Sequence, residues 1–468
     1  MDENKVESMD YHSGKKYEKN PVMNKPGKTA VLVTKGCETQ GELSLAYTPF
    51  VGKIVEDIHR NPEQLPKLTS YSNKGAVISD GTAILGFGDL GPKAATPVME
   101  GKSVLFKVFG DVDMDSIVIN EKDPKKIIEF VMKMEPNYAG INLEDISAPR
   151  CFEIEEELQK RYKGFIFHDD QHGTATITLG GLLNALELVN LKKEDAKVVI
   201  CGAGAAAIAS AKLYKKDGIK KIIMLDRNGA IFKGRNFPTN KYKEQFAIGL
   251  EEYGLNPDKD GKITLKEAIK EANVFLGLSA ANLLTGEMVE SMAKDPIIIA
   301  MANPVPEILP DAAYEHGAKI VATGRSDFPN QINNVLGFPG IFRGALDALI
   351  SKTTDDIKLA AAYALKDLAH KPVPEEVKDK YPKDKANGVF EGEDPVKPEY
   401  IVPLALDPRV AVEVAAAVYK TAFEKGLATA KLPEGFNSVE EYIPAYKKKV
   451  MERIKVQDKL REAVRNSF

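Results

Sequence analysis

Cysteine is scarce in this chain. Its 468 residues hold three, Cys37, Cys151 and Cys201. An odd number without paired spacing excludes a disulfide framework and is the usage expected of reduced thiols in a cytoplasmic compartment. A surplus of one charge is missing too: 64 Lys and Arg stand against 68 Asp and Glu, a net charge of −4. That balance gives no electrostatic footprint for nucleic acid. The first twenty residues are polar and charged, and read as neither a secretory signal nor a membrane span, and no internal repeat is found. What the chain does have is 43% hydrophobic residues, enough for real cores. On a prior of ~150 residues per domain its length predicts two or more domains.

The acidic residues fall in informative places. Glu144-Asp145 and Asp169-Asp170 supply oxygen ligands in the number that suits a hard divalent cation, Mg²⁺ or Mn²⁺. Most acidic pairs are solvated surface. Here the second pair follows the apolar run Gly164-Phe165-Ile166-Phe167 and precedes Gly173, so a strand is expected to end there in a tight turn, and ligands of α/β proteins bind at such strand ends. His168 and His172 flank the acids and could ligate a softer metal. The carboxylates outnumber them, so both are read as structural or as supporting the ligands.

A second signal lies about thirty residues on. Lys197 to Cys201 reads as a buried strand running into Gly202-Ala-Gly204-Ala205-Ala-Ala207, whose glycines would let backbone amides approach a pyrophosphate at a helix start. Helical residues from Ile208 to Lys216 follow, then a strand Lys221 to Leu225 ending in Asp226. Asp226 stands 24 residues beyond Gly202, close to the ~20 expected of a ribose-binding acid. It favours NAD by repelling a 2′-phosphate, while Arg227 and Lys233 could accommodate one, so both NAD and NADP stay open. Cys201, in the strand itself, reads as a small buried hydrophobe.

The fold class is therefore α/β. An N-terminal α/β substrate domain is expected over residues 1–165, a Rossmann-like, doubly wound parallel sheet over 166–400, and a C-terminal helical segment over 401–468. Residues 1 to about 28 read as frayed. Apolar runs at Ala30 to Val33 and Val104 to Val108 and a helical piece from Pro124 to Met134 mark the first domain. A helix from Ala175 to Leu188 leads into the second, where strands recur at Val274 to Leu278, Ile297 to Met301 and Lys319 to Thr323. Between His370 and Tyr400 the chain is rich in Pro, Lys and Glu and reads as a long surface connection. Ser438-Val-Glu-Glu441 is a capping box opening a terminal helix. Asn256-Pro-Asp258-Lys-Asp260-Gly261 with Glu267 has the spacing of a calcium-binding EF-hand loop. Pro257, the Asn at the first position and the lack of a second copy favour an exposed turn capping a helix from Thr264 to Ala272.

Metal carboxylates beside a dinucleotide turn suggest oxidation of a chelating hydroxy acid. The ordered motifs Leu45-Ala-Tyr47-Thr-Pro49, Leu85-Gly-Phe-Gly-Asp-Leu-Gly91, Pro97-Val-Met-Glu-Gly-Lys102, Gly140-Ile-Asn-Leu-Glu144-Asp145, Asp169-Asp170, Ala302-Asn303-Pro304 and Asn333-Asn334 with Phe338-Pro-Gly340 resemble malic enzyme, the decarboxylating malate dehydrogenase, in its short prokaryotic-type form. The resemblance implies oxidative decarboxylation of (S)-malate to pyruvate and CO₂ with reduction of NAD(P)⁺, in a homodimer or higher homo-oligomer. It implies Lys102 as the base at the C2 hydroxyl, Asp169 orienting Lys102, and Tyr47 as the acid that protonates C3 of enolpyruvate. Glu144, Asp145 and Asp170 would hold the metal, and Asn303 and Asn334 would hold malate's carboxylate and the nicotinamide side. Such a lysine acts as a base when neighbours lower its pKa. One departure stands out: larger members carry an arginine just before the Leu-Gly-x-Gly-Asp stretch, where this chain has Gly81-Thr-Ala-Ile84, which leaves open what neutralises one malate carboxylate. An amino-acid dehydrogenase would share the two-domain plan but needs no metal, and a dinucleotide sensor would lack the acid and base. The carboxylate trio argues against the first, and Tyr47 with Lys102 against the second.

Overall fold

The computed structural model describes residues 28–466 except positions 30, 32 and 85, with side chains described to 463. The stretch expected to fray, Ala30 in the first apolar run and Leu85 in the glycine-rich motif thus fall wholly or partly outside the described residues. Two parallel sheets organise the rest. The first has the order β2-β1-β3-β4, from β1 (Lys74–Ser79), β2 (Asp113–Val118), β3 (Gly140–Leu143) and β4 (Phe165–His168). The second runs β10-β9-β8-β5-β6-β7. Its strands are β5 (Lys197–Cys201), β6 (Lys221–Asp226), β7 (Gly229–Ala230), β8 (Val274–Gly277), β9 (Ile297–Ala300) and β10 (Ile320–Thr323). Every pairing in it is parallel except that of the two-residue β7, which returns antiparallel on β6. Strands such as Val-Phe-Leu-Gly and Ile-Ile-Ile-Ala are buried along their whole length, the signature of parallel strands covered on both faces.

Each sheet reverses its strand order at one point, and a crevice opens there at the carboxyl ends. In the first sheet this point lies between β1 and β3. In the second it lies between β5 and β8. The candidate residues gather at those two places.

Three sequence expectations need correction. The run Val104 to Val108 lies inside a 19-residue helix, α1 (Pro92–Gly110). Pro92 opens it, and Pro97 lies inside it, where it has no amide hydrogen to give the Lys93 carbonyl. Residues 370–400 are not a bare connection: they form short helices at Glu375–Lys378 and Pro382–Ala386 and bury Val373, Val377, Val389, Phe390 and Tyr400 as a small core. The boundary at 165 falls on the first residue of β4, which belongs to the first sheet.

The C-terminal segment is helical, as expected. α3 (Arg409–Glu424) packs on α2 (Phe338–Asp347) and on α4 (Val439–Asn466), and α2 and α4 both pack on α1, with Phe338 and Phe342 4.5 and 4.8 Å from the Phe106 ring. Asn256 to Glu267 is the exposed turn expected: Asp258 Oδ1 accepts from the amides of Asp260 and Lys262, and Glu267 is engaged in a capping box with Thr264. The helix it opens is one turn, Leu265–Ala268.

Candidate active site

Glu144 and Asp145 follow β3 directly. In a continuing strand their side chains would point to opposite faces. Asp145 instead takes a left-handed conformation (φ 53°), and the two carboxylates converge with that of Asp170 so that one oxygen of each lies within 4.8 Å of the others. Asp170 comes from a π-helical turn, Asp169–Gly173, between β4 and the helix Thr174–Leu188; such turns recur at functional sites. The turn is braced at both ends. Asp170 Oδ2 accepts from the Asp145 amide at 2.9 Å, and a Cβ on Gly173 would meet the Asp169 carboxylate at 2.1 Å.

Lys102 reaches into this cluster from α1. Its Nζ lies 2.7 Å from Asp169 Oδ2, 2.9 Å from Glu144 Oε1 and 4.5 Å from the centre of the Phe338 ring. Burial alone would lower the lysine's pKa, but Asp169 and then Glu144 outweigh it and hold the ammonium charged, well above the usual range. The lowered pKa expected of a base is thus reversed in the protein as described. Asn334 Nδ2 donates to the same Asp169 oxygen at 3.0 Å and its Oδ1 accepts from Thr174, so Asn334 belongs to this cluster.

Among the described residues, the ammonium of Lys102 pairs with Glu144 and Asp169, and the carboxylates of Asp145 and Asp170 lie beside them. Burial, with Asp170, Asp169 and Asp145 close by, pushes the Glu144 carboxyl up despite Lys102. Asp169 Oδ1 and Asn142 Oδ1 are buried without a hydrogen-bond donor. An all-oxygen donor set with excess negative charge fits a hard divalent cation. His172 is tied elsewhere, its Nε2 2.7 Å from Glu155 Oε1, and burial lowers its pKa; the structural reading of this histidine holds. A cation also stands at the Gly81 turn: Arg150 donates to Thr82 Oγ1 at 2.8 Å and pairs with Asp80 at 3.0 Å.

Tyr47 is not brought to this cluster. It caps the short helix Gln40–Ala46 and is 70% exposed.

At the second crevice, β5 passes through Gly202 into the helix Ala205–Asp217, whose first turn is the expected Gly-x-Gly-x-x-Ala. Gly202 adopts φ 129°, and a Cβ there would strike the Leu278 carbonyl at 2.4 Å. In front of Gly204 the space is open, for a Cβ would meet no atom within 4 Å. Ala207 is buried, and Ala205 packs against the core's edge. Asn303, after β9, lies between two glycines of different domains: a Cβ on Gly324 would sit 3.1 Å from its Nδ2 and one on Gly86 2.9 Å from its carbonyl.

Sequence reasoning missed the brace beneath Asn303. Glu307, fully buried, accepts from the amides of Ser279 and Ala302 at 3.0 Å each, tying together the loops that leave β8 and β9. It also missed the partners of Asp226, which are Arg235 and Lys243. No motif spacing marks these residues, since all act from loops or short helices.

Comparison with known proteins agrees with this geometry. Residues 26–123 match the malic enzyme N-terminal domain and residues 171–385 the malic enzyme NAD-binding domain. The NADP-dependent malic enzyme of Halomonas elongata is 45% identical over 91% of this chain and 95% of its own length. The probable NADP-dependent malic enzyme of Rickettsia prowazekii is 48% identical over 92% of this chain, which spans only 53% of that relative's length. The crystal structure of an NAD-dependent malic enzyme from Thermotoga maritima superposes with a TM-score of 0.73 at 38% identity, covering 84% of this chain and 96% of that one. On these matches, the chain belongs to the malic enzyme family.

Proposed function

We propose that this chain oxidises and decarboxylates (S)-malate to pyruvate and CO₂, reducing NAD(P)⁺ with Mg²⁺ or Mn²⁺ present. The observation that carries the reading is the placement of Lys102 Nζ 2.7 Å from Asp169 and 2.9 Å from Glu144, beside the Glu144, Asp145 and Asp170 oxygens. A base and a hard-cation site share one carboxylate there. Glu144, Asp145 and Asp170 hold the cation, which when bound supplies Lewis-acid polarisation of a carbonyl oxygen.

Lys102, once its own proton has passed to Asp169 along their hydrogen bond, would take the proton of the C2 hydroxyl while hydride leaves C2. Asp169, itself fixed by Asn334, positions the lysine's Nζ. Asn303 and Asn334 orient the malate carboxylate and the nicotinamide, and the family's motif assigns the proton that C3 needs after CO₂ departs to Tyr47, which in the single chain stands exposed and outside the cluster. Gly202, Gly204, Ala205 and Ala207 receive the coenzyme pyrophosphate at the helix start.

The chain functions as a homo-oligomer in the cytoplasm. Support for assembly comes from the segment around Tyr47, where Val33, Leu45, Phe50 and Val55 are exposed and no residue of either local helix is buried; contiguous exposed apolar surface marks interaction sites. Support for the compartment comes from three free cysteines. Among the described residues, no helix is long and apolar enough to cross a membrane.

The test is malate-dependent reduction of NAD⁺ and NADP⁺ side by side, with Mn²⁺ and with chelator, and with pyruvate and CO₂ measured. The reading expects both products only with metal. Full activity in chelator overturns the metal assignment, and reduction without CO₂ overturns the decarboxylation.

A further inference from the structure

The helix Arg150–Arg161 lies against β4 and buries Cys151, Phe152, Ile154 and Leu158. Glu155 stands four residues beyond Cys151 and three beyond Phe152, and so shares their buried face. A carboxylate in such a place is costly unless it is paired and hydrogen-bonded. An apolar side chain would pack the same face without that cost. Glu155 is 5% exposed, and its oxygens accept from Gln159 Nε2 at 3.0 Å, from Gln171 Nε2 at 2.9 Å and from His172 Nε2 at 2.7 Å. Two of these three partners belong to the π-helical turn Asp169–Gly173.

That turn has to be held. Its backbone form is rare, and it must aim two neighbouring carboxylates differently, Asp169 at Lys102 Nζ (2.7 Å) and Asp170 at the Asp145 amide (2.9 Å). Glu155 takes the next two residues, Gln171 and His172, from the helix behind. A carboxylate only accepts, so the His172 proton sits on Nε2. The lone pair on Nδ1 then faces Lys358 Nζ 3.5 Å away, an ammonium itself paired with Asp355 at 2.6 Å. Both neighbours of the ring thus call for the same tautomer, and the brace is consistent from helix to turn.

We propose that Glu155 is a positioning residue of the cation site: through Gln171 and His172 it fixes the turn so that Asp170 meets the oxygens of Glu144 and Asp145 while Asp169 meets Lys102. It rests on the reading of that carboxylate trio as a place for Mg²⁺ or Mn²⁺, and Glu155 itself touches neither cation nor substrate. Behind the brace lies a cavity of about 370 Å³ whose lining includes Glu155, Gln171, His172, Lys212 and Lys358. Its two lysines favour a small anion. A carboxylate from solution can therefore reach the place of the Glu155 side chain once that side chain is cut back.

Calorimetric titration of the intact protein with Mn²⁺, in the absence of malate and coenzyme, reads the site without turnover. Glu155→Gln keeps the side chain's size but turns one acceptor into a donor that opposes the donors of Gln171 and His172. Mn²⁺ should then bind about 10- to 100-fold more weakly, the usual loss when a group that orients metal ligands is removed. Affinity for 5′-ADP, read at the second crevice, should stay within about twofold, as expected of a distant site with no shared partner. Glu156→Gln, one residue along and with its side chain 44% exposed, should change neither. Glu155→Ala should lose Mn²⁺ affinity as Glu155→Gln does and regain part of it with added formate but not with chloride, a response that a merely loosened helix would not give. If the alanine variant does not fold, Glu155→Gln decides alone. Unweakened Mn²⁺ binding in Glu155→Gln, equal weakening in Glu156→Gln, or loss of 5′-ADP affinity alongside that for Mn²⁺ overturns the proposal. The two readings fail differently. A native protein that binds Mn²⁺ but reduces no coenzyme with malate sinks the malic enzyme reading and keeps the brace, whereas normal malate turnover with unweakened Mn²⁺ binding in Glu155→Gln sinks the brace alone.

Discussion

Two buried ionic clusters lie on either side of α1, and they are built on opposite principles. In the first, Arg343 and Arg453 meet Asp347 and Asp111: Arg453 is 2.8 Å from Asp111 and 3.4 Å from Asp347, and Arg343 holds Asp347 through both its Nε and its Nη2. Asn73 accepts from both guanidiniums, and the Tyr446 hydroxyl donates to Asp347 at 2.8 Å. Two guanidiniums meet two carboxylates, with Lys107 pairing Asp111 and the more exposed Asp113 at the rim, and the groups come from the residue that caps α1, from α2 and α4 and from the turn before β1. In the second, among the described residues, Lys102 pairs with Glu144 and Asp169, beside the carboxylates of Asp145 and Asp170. A cluster whose charges cancel holds elements in register, and one left in deficit is prepared for a charge from outside. Structural ion pairs and functional sites are both buried and both shift pKa values; the balance of charge tells them apart here.

The largest effect should come from breaking the unbalanced cluster. Lys102→Ala and Asp170→Ala are expected to lower kcat by about 10² to 10⁴, the usual range for positioned acid–base groups, with the folded structure kept. Circular dichroism and steady-state assays with Mn²⁺ check this. Losses of only two- to threefold in both would remove Lys102 and Asp170 from the chemistry.

Breaking the balanced cluster should do the reverse. Arg343→Ala leaves Asp347 buried beside a single remaining guanidinium, and removing one partner of a buried pair costs about 3–5 kcal/mol. Urea titration should show that loss, while kcat of the folded fraction stays near wild type. The clusters also answer pH oppositely. Burial works against the Asp347 charge, but Arg343 and Arg453 prevail and hold its carboxyl below the usual value, so its stabilisation is complete above the unfolded value near 3.8 and is lost as pH falls through the lowered one.

Glu144 runs the other way. Its carboxyl is raised by burial and by its acidic neighbours, so the fold favours its protonated form, and stability is lost as pH rises above the unfolded value near 4.5. Glu144→Gln should therefore raise the melting temperature at pH 7 in chelator by a few degrees, a gain on the order of 1 kcal/mol, while abolishing the stabilisation that Mn²⁺ gives the native protein. Binding to the folded state alone stabilises by about 2.7 kcal/mol at a hundredfold excess over Kd. Differential scanning fluorimetry at two pH values and with added Mn²⁺ separates these terms. A lower melting temperature for Glu144→Gln in chelator would show that the site is not held in deficit.

What could be read from the sequence follows the same division. The parallel sheet of the second domain, the Gly202 turn and the strand that ends at the Asp169-Asp170 pair were legible because period, glycine placement and strand-end position are local signals, whereas of the first sheet only the α/β class was read. The Lys102–Asp169 contact, across 67 residues, was reached only through the family's motif order. α1 was harder because Gly91, Pro92, Pro97 and Gly101 interrupt its apolar pattern, and helix formation there is decided by packing on Phe338 and Phe342. The small core of residues 370–400 was hidden by composition, since a few well-spaced apolar side chains suffice for it. Arg235, Lys243 and Glu307 act from irregular backbone, where spacing carries no rule. Tyr47 marks a different limit: its motif is local, but its exposure is decided by what covers the surface around it.

A buried group with no charged partner extends the comparison and should show the smallest effect. Cys201 ends β5 beneath the coenzyme turn, and burial pushes its thiol up to about 11, so at neutral pH it is protonated and unreactive. Cys151 is buried as well and its thiol raised further by the same cause, whereas Cys37 is exposed. A thiol reagent at pH 7.5 should label one cysteine quickly in the native protein and three after denaturation. Cys201→Ala removes one sulfur from a packed strand end and should cost no more than about 1–2 kcal/mol, below the losses of 2 kcal/mol or more seen for larger side chains. Activity should stay within about twofold. Rapid labelling of Cys201 in the native protein, or a loss of activity beyond tenfold in Cys201→Ala, would place this thiol in the site's chemistry and break the rule that burial without a charge partner leaves a group inert.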